Sequence, residues 1–427
     1  MDIHVVRAGE TVSSVAARYG VPAGILAGVN GVAPDAPLAV GQTLVVRHPR
    51  ELHTVASGES VYSIALRYGL SVRTLYQNNP ALGGRSALYP GQTLVIAYDD
   101  TPTRTLAVNA YSYPFIRGGL LDAALPYLTY LTPFTYGINA DGTLLPLADE
   151  WLLAAAGQYR TAALMPLSTL TEEGRFDNAR STLILEDADA QDALVQSILE
   201  TVQARHYFGL DVDFEYVLPE QREAYAAFIT RLREALNPLG CPVVVALAPK
   251  TSAAQRGLLY EAHDYALLGA AANAVFLMTY EWGYTYGPPM AVAPLGQVRA
   301  VLDYALTAVA PEKIFMGIPL YGYDWPLPFV SGKTRAESLS PVQAVERALR
   351  HGIAIQYDAA AQAPYYHYTD RGGRKHTVWF EDARSIEAKL RLADEYHLQG
   401  VGYWNLTRPF PQNWAVLASL FDIETLL

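Results

Sequence analysis

The sequence predicts a (β/α)₈ barrel with a small insertion, preceded by two small βααβ modules. Three observations carry this expectation. From about Thr105 onward, eight apolar segments alternate with helical stretches over roughly 320 residues, the pattern of a closed parallel sheet wrapped by helices. Near the N-terminus a stretch of chain repeats itself, and such repeats mark stacked or tandem modules. One of the eight apolar segments ends with a carboxylate at every second position.

The repeat runs from His4 to Gly20 and again from His53 to Gly69, an offset of 49 residues, and carries Leu26 onto Leu75 and Asn30 onto Asn79. After one inserted residue, Gly41-Gln42-Thr43-Leu44 matches Gly91-Gln92-Thr93-Leu94. In each copy a short strand should end at a glycine. Thr11 or Ser60 is then placed to cap a helix. Val12, Val15, Ala16 and Tyr19 recur at helical spacing and should bury one face. Gly20 and Gly69 suit the left-handed position that ends a helix. The modules are expected over residues 3–48 and 52–98, with Tyr98–Arg104, which contains Pro102, as a linker.

The strand candidates of the large domain, residues 105–427, are Leu106–Tyr113, Tyr130–Gly137, Thr161–Pro166, Phe208–Glu215, Val243–Ala248, Ala274–Tyr280, Ile314–Leu320 and Gly400–Trp404. Asp192–Arg205 and Glu220–Leu236 read as helices, the second stopped by Pro238 and Gly240. Asp324–Phe380 reads as an insertion forming one wall of a cleft. In such barrels the site lies at the C-terminal ends of the strands. Tyr111, Tyr280, Glu281, Trp282, Tyr321, Trp404 and Asn405 all fall at or near such ends. Tyr284 and Tyr286 follow as further aromatic candidates.

In Phe208-Gly209-Leu210-Asp211-Val212-Asp213-Phe214-Glu215, an extended backbone puts Asp211, Asp213 and Glu215 on one face. Neighbouring carboxylates raise each other's pKa. A row of this kind suits a carboxylic acid held protonated for general acid catalysis. A divalent cation site and a solvated edge strand are the other readings open on the pattern alone. The glycines and asparagines of a calcium loop do not follow the row.

About half of the residues are hydrophobic and 17% are charged, which excludes a disordered chain. The net charge of −11 comes with no basic run, which argues against nucleic acid as a partner. The single cysteine, Cys241, permits no internal disulfide and no cysteine-based metal or redox motif. No transmembrane helix and no positively charged leader is apparent. No cofactor or metal is expected, and a monomer is.

The two repeats resemble LysM domains. That resemblance implies binding of N-acetylglucosamine-containing glycans, peptidoglycan or chitin, through Gly9, Glu10, Thr11 and Asn30 in the first copy and Gly58, Glu59, Ser60 and Asn79 in the second. The large domain resembles family 18 glycoside hydrolases, with Asp211, Asp213 and Glu215 filling the last three positions of an Asp-x-x-Asp-x-Asp-x-Glu signature. The resemblance makes Glu215 the catalytic acid and Asp213 the residue orienting a substrate acetamido group. Asp211 supports Asp213, Tyr280 bonds the acetamido oxygen, and Trp404 floors the sugar site. Glu281 stands where an aspartate is common. Two features depart from the pattern: Phe208 replaces the first signature aspartate, and Met165-Pro166-Leu167-Ser168 replaces a usual Ser-x-Gly-Gly. With the tandem modules and Val378–Arg384, the whole chain resembles the spore-type branch, the cortical-fragment-lytic N-acetylglucosaminidases. This implies a retaining, substrate-assisted mechanism, a place in the spore, and deposition without a signal peptide. A chitinase and a non-catalytic spore-coat glycan-binding protein are the alternatives.

Overall fold

The computed structural model describes residues 1–171 and 173–427. Eight parallel strands close into a barrel: β1 Arg104–Ser112, β2 Tyr130–Pro133, β3 Ala162–Ser168, β4 Gly209–Asp213, β5 Val243–Leu247, β6 Ala274–Leu277, β7 Ile314–Pro319 and β8 Gly400–Trp404. Each pairs with the next in sequence, and β8 returns to β1 through Gly400 opposite Ala107 and Tyr403 opposite Ala110. Every segment predicted as a strand contributes one, several of them shorter at the C-terminal end. Chain that leaves the sheet there is free to carry the site.

The barrel is filled by side chains, as expected for eight strands. Its N-terminal end holds Tyr130 against Phe208 and Phe315, with ring centroids 5.9 and 6.1 Å apart. Phe208, in place of the signature aspartate, therefore makes the base of the barrel apolar beneath the carboxylate row. Higher up, Phe276 lies 5.2 Å from Tyr111. Gly402 on β8 makes room for it, since a Cβ there would sit 2.4 Å from the Phe276 ring.

Helices Ala188–Arg205 and Arg222–Leu236 follow β3 and β4 in the chain and pack on each other, the second also on β5. The second passes into a short 3₁₀ turn, Asn237–Leu239, and ends at Gly240 with φ 77°. His206 ends the first in the left-handed conformation, a helix terminus and not a base. Between β7 and β8 the insertion forms a five-stranded antiparallel sheet, built from Gly322–Pro326, Glu337–Leu339, Gln356–Asp358, Ala363–Thr369 and Lys375–Trp379, with one helix, Pro341–His351. Glu381 is buried against Lys389 at 2.8 Å, and Arg384 bonds Asp382 at 2.6 Å.

Each N-terminal module is a strand, two helices and a closing strand with its own core. Asp2–Val5 pairs with Thr43–Val46, and Pro49–Thr54 with Thr93–Tyr98. Val12, Val15, Ala16 and Leu26 fill the first core, and Val61, Ile64, Ala65 and Leu75 the second. Both modules rest on the barrel. Gln412 donates to Asn30 Oδ1 at 2.9 Å, Ile355 N donates to Val40 O at 2.8 Å, and Arg73 Nε donates to Pro126 O at 2.8 Å. No single described helix is long and apolar enough to cross a membrane.

Candidate active site

The ends of β1, β4, β6 and β8 converge on a cavity of about 700 Å³. Asp213, Glu215, Tyr111, Tyr280, Glu281, Trp282 and Trp404 all line it. Alternation on β4 sends Asp211 and Asp213 inward. Glu215 continues the row two residues past the end of the strand. Val212 and Phe214 face the surrounding helices and are fully buried; Phe214 stacks on Tyr225 at 5.7 Å.

Asp211 and Asp213 are buried and Glu215 partly so, and among the described residues no salt bridge reaches the row. Asp211 accepts a hydrogen bond from the Tyr111 hydroxyl at 2.6 Å. Burial pushes its carboxyl up to about 7 against that bond. Asp213 is raised well above the ordinary carboxyl range by burial, then by Glu215 and Asp211. Glu215 is raised to about 7 by burial and next by Glu281. Oδ1 of Asp211 and Oδ1 of Asp213 are buried with no hydrogen-bond partner. A buried acceptor without a donor is costly, and the Asp213 side chain lines a cavity that a ligand can enter. Among the described residues no group of three or more His, Cys, Asp or Glu is placed to hold a metal ion.

The walls hold the row in place. Trp404 sits among Phe134, Tyr111 and Tyr113, with ring centroids 4.8, 5.5 and 5.8 Å away. It is half-buried, leaving ring surface toward the cavity. Glu281 adopts φ 68°, unusual for a residue with a Cβ. The hydroxyls of Tyr321 and Tyr323 (the latter at 2.9 Å) hold its carboxylate.

Two predicted sugar contacts are corrected. Tyr321 is buried behind Glu281 and supports it instead of lining the cavity. Asn405 turns its Oδ1 onto the backbone N–H (3.1 Å) and hydroxyl of Thr407, closing the turn after β8. Asn405 follows directly on Trp404, which lines the cavity, and points elsewhere. The cavity also takes in Tyr216, Pro249 and Tyr260 from loops, where no periodicity announces them, and Tyr284; Tyr286 lies outside its lining.

His263 gave no signal in the sequence either. Fully buried, it accepts from Ala248 N at 2.8 Å, and its Nε2–H donates to Phe214 O at 3.0 Å. Burial lowers it to about 4, so it is neutral at neutral pH. It ties the carbonyl just before Glu215 to the end of β5.

The modules need corrections too. Asn30 and Asn79 do not face a ligand. Each is buried and donates to two backbone carbonyls, Leu26 and Val45 or Leu75 and Val95, while its Oδ1 accepts from the amide of Val45 or Val95. Glu10 Oε2 accepts from Arg7 N (2.8 Å) and His4 Nε2 (2.7 Å), which hold its carboxyl down at about 2. Glu59 repeats this with Ala56 N and His53, both at 2.7 Å. Thr11 and Ser60 cap their helices by accepting from Ser14 N and Ser63 N at 3.1 Å. Gly9 and Gly58, with φ 80° and 86°, stay at the surface with open space around them.

Comparison with known proteins matches the large domain and both modules. Residues 174–408 match the model for glycosyl hydrolases family 18, and residues 4–47 and 53–97 match the LysM domain. The chain belongs to the glycosyl hydrolases family 18, is a glycosidase, and carries two LysM domains. It is 39% identical over 433 residues to a cortical fragment-lytic enzyme of Bacillus subtilis (strain 168), covering 99% of each chain. The solved spore cortex-lytic enzyme SleL of Bacillus cereus superposes with a TM-score of 0.84 at 38% identity, over 99% of this chain and 98% of that one. A chitinase of Chromobacterium violaceum ATCC 12472 matches 74% of this chain and 98% of its own, with a TM-score of 0.68 and 26% identity.

Proposed function

We propose that the chain is an N-acetylglucosaminidase that cuts spore cortex peptidoglycan fragments by a retaining, substrate-assisted mechanism. Residues 105–427 perform the chemistry, and the N-terminal LysM region, with its modules at 3–48 and 52–98, holds the glycan. Its place of action is the spore, and it works as a monomer. The observation that carries the mechanism is Asp213: a buried carboxyl with an unpartnered Oδ1, lining the same cavity as the acid Glu215 and the hydroxyl-bearing Tyr280. A 2-acetamido group presents an N–H to Asp213 and its carbonyl oxygen to Tyr280. Thus held, the carbonyl oxygen attacks the anomeric carbon as Glu215 passes its proton to the departing glycosidic oxygen. The oxazolinium ion that results is stabilised by Asp213. Glu215, now a carboxylate, takes a proton from water as the water adds to the same carbon, which restores the acetamido group and retains the configuration. This departs from the two-carboxylate scheme of most glycosidases. Trp404 and Trp282 offer ring faces to the sugars.

The full-length similarity to cortical fragment-lytic enzymes favours cortex peptidoglycan over chitin. The test is mass spectrometry of products from cortex fragments and from chitin oligomers, with wild type and Glu215→Gln. Products ending in N-acetylglucosamine from cortex fragments, absent with the variant, are expected. Cleavage of chitin oligomers alone replaces the substrate with chitin.

A further inference from the structure

The two modules align along their length with one inserted residue, and at three positions the second carries large exposed side chains that the first lacks. Tyr62, Leu66 and Tyr89 of the second are 68%, 68% and 72% exposed. The positions aligned with them in the first are Ser13, Ala17 and Ala39. The loop before the closing strand differs as well. In the first module it is covered by the insertion: Ala39 is buried in a cluster with Leu339, Ala344 and Phe380, and Ile355 N bonds Val40 O at 2.8 Å. A Cβ on Gly41 would lie 2.0 Å from the Ile355 carbonyl, whereas nothing stands within 4 Å of one on the matching Gly91.

We propose that the two modules have divided their tasks. The first is a structural wedge whose loop is occupied by the insertion, and the second alone presents the surface that docks a peptidoglycan glycan strand, through Tyr62, Tyr89 and Leu66. This rests on the peptidoglycan reading above. Tyr62 and Leu66 are one turn apart on the exposed face of helix Val61–Arg67. Backbone bonds from Val55 N to Gln92 O and from Gly91 N to Val55 O, both 2.8 Å, bring the Tyr89 turn beside the loop that leads into this helix. Exposed aromatic surface is a mark of binding, and flat rings with a polar edge suit the C–H faces and hydroxyls of a sugar chain. A whole aromatic side chain covers about 150–250 Å². Three large side chains therefore fall short of the ~800 Å² per partner of a stable protein interface, so a narrow polymer fits this patch better than a second copy of the chain.

The test uses the full chain carrying Glu215→Gln, so that the polymer survives, and measures retention on insoluble peptidoglycan. Exchange of the three residues for those of the first module (Tyr62→Ser, Leu66→Ala, Tyr89→Ala) is expected to lower retention at least tenfold with an unchanged melting temperature. Tyr89→Trp is expected to preserve retention, and Ser13→Ala in the first module to leave it unaltered. Retention unaffected by the triple exchange overturns the proposal, as does loss confined to chitin beads. A dimer in solution that the triple exchange dissociates overturns it in favour of a second copy. In the active chain the triple exchange should leave cleavage of short soluble fragments intact. Failure of the active chain itself to cut cortex fragments tells against the peptidoglycanase reading and leaves the retention result to judge the surface.

Discussion

Two buried carboxylate sites in this molecule are opposites. In the insertion, Asp324 is 2% exposed and fully served: Arg347, the Tyr368 hydroxyl at 2.6 Å and His376 Nδ1 at 2.7 Å all donate to it. In the cleft, Asp211 and Asp213 are also buried, lie in a row with Glu215, meet no salt-bridge partner among the described residues, and each leave one buried oxygen without a donor. The first arrangement is what a stable fold does with a buried charge. The second is kept at a cost to stability, and the cleft is where that cost has a use. Burial alone does not mark a functional carboxyl; burial without compensation does.

The comparison can be broken most directly at Glu215. Glu215→Gln should lower turnover of cortex fragments by about 10²–10⁴-fold, the range for loss of a general acid. Because the carboxyl is raised to about 7 in the folded chain, folding favours its protonated form. Its destabilising effect is absent at acid pH, where folded and unfolded chains are both protonated, and grows as pH rises toward 7. The melting temperature of Glu215→Gln should therefore exceed that of the wild type by more at pH 8 than at pH 5; the reverse order would contradict the strained-row account. Asp324→Ala should do the converse: Arg347 keeps Glu337, but the buried Tyr368 hydroxyl loses its acceptor, which removes about 1–3 kcal/mol of stability while the folded enzyme keeps its kcat. Denaturant midpoints beside single-turnover rates check this. Smaller is Tyr111→Phe, which removes the hydroxyl bonded to Asp211 and should reduce kcat/KM roughly tenfold. Finest of all is the pH profile. The fall of kcat/KM on the alkaline side should centre near 7 and belongs jointly to Asp213 and Glu215. Glu281→Gln removes a negative charge facing Glu215, so the fall should move to lower pH.

Much of this was legible in the sequence, for definable reasons. Period-two alternation in Asp211-Val212-Asp213-Phe214 fixes which side chains share a face, and eight apolar runs separated by helices leave few topologies but a closed barrel. Position along a strand end was less telling. Trp404 and Asn405 are neighbours, yet one borders the cleft and the other closes a turn. Asn30 and Asn79 recur at the same place in both repeats because the fold needs a double clasp there, and a repeat pattern cannot separate that need from a ligand's. His263 and Tyr260 reach the site through chain folding alone, with no local spacing to announce them.

The backbone bond from Ile355 to Val40, and the side-chain bonds from Arg73 and Gln77 to the Pro126 carbonyl, bear on how a long strand would be processed. A catalytic unit on a loose leash samples many distances from its anchor and cuts over a broad spread. Here both modules are pinned to the barrel, so an anchored strand meets the cleft at a single spacing. The molecule is built as a ruler, and the lengths it leaves along an extended substrate should cluster at one interval.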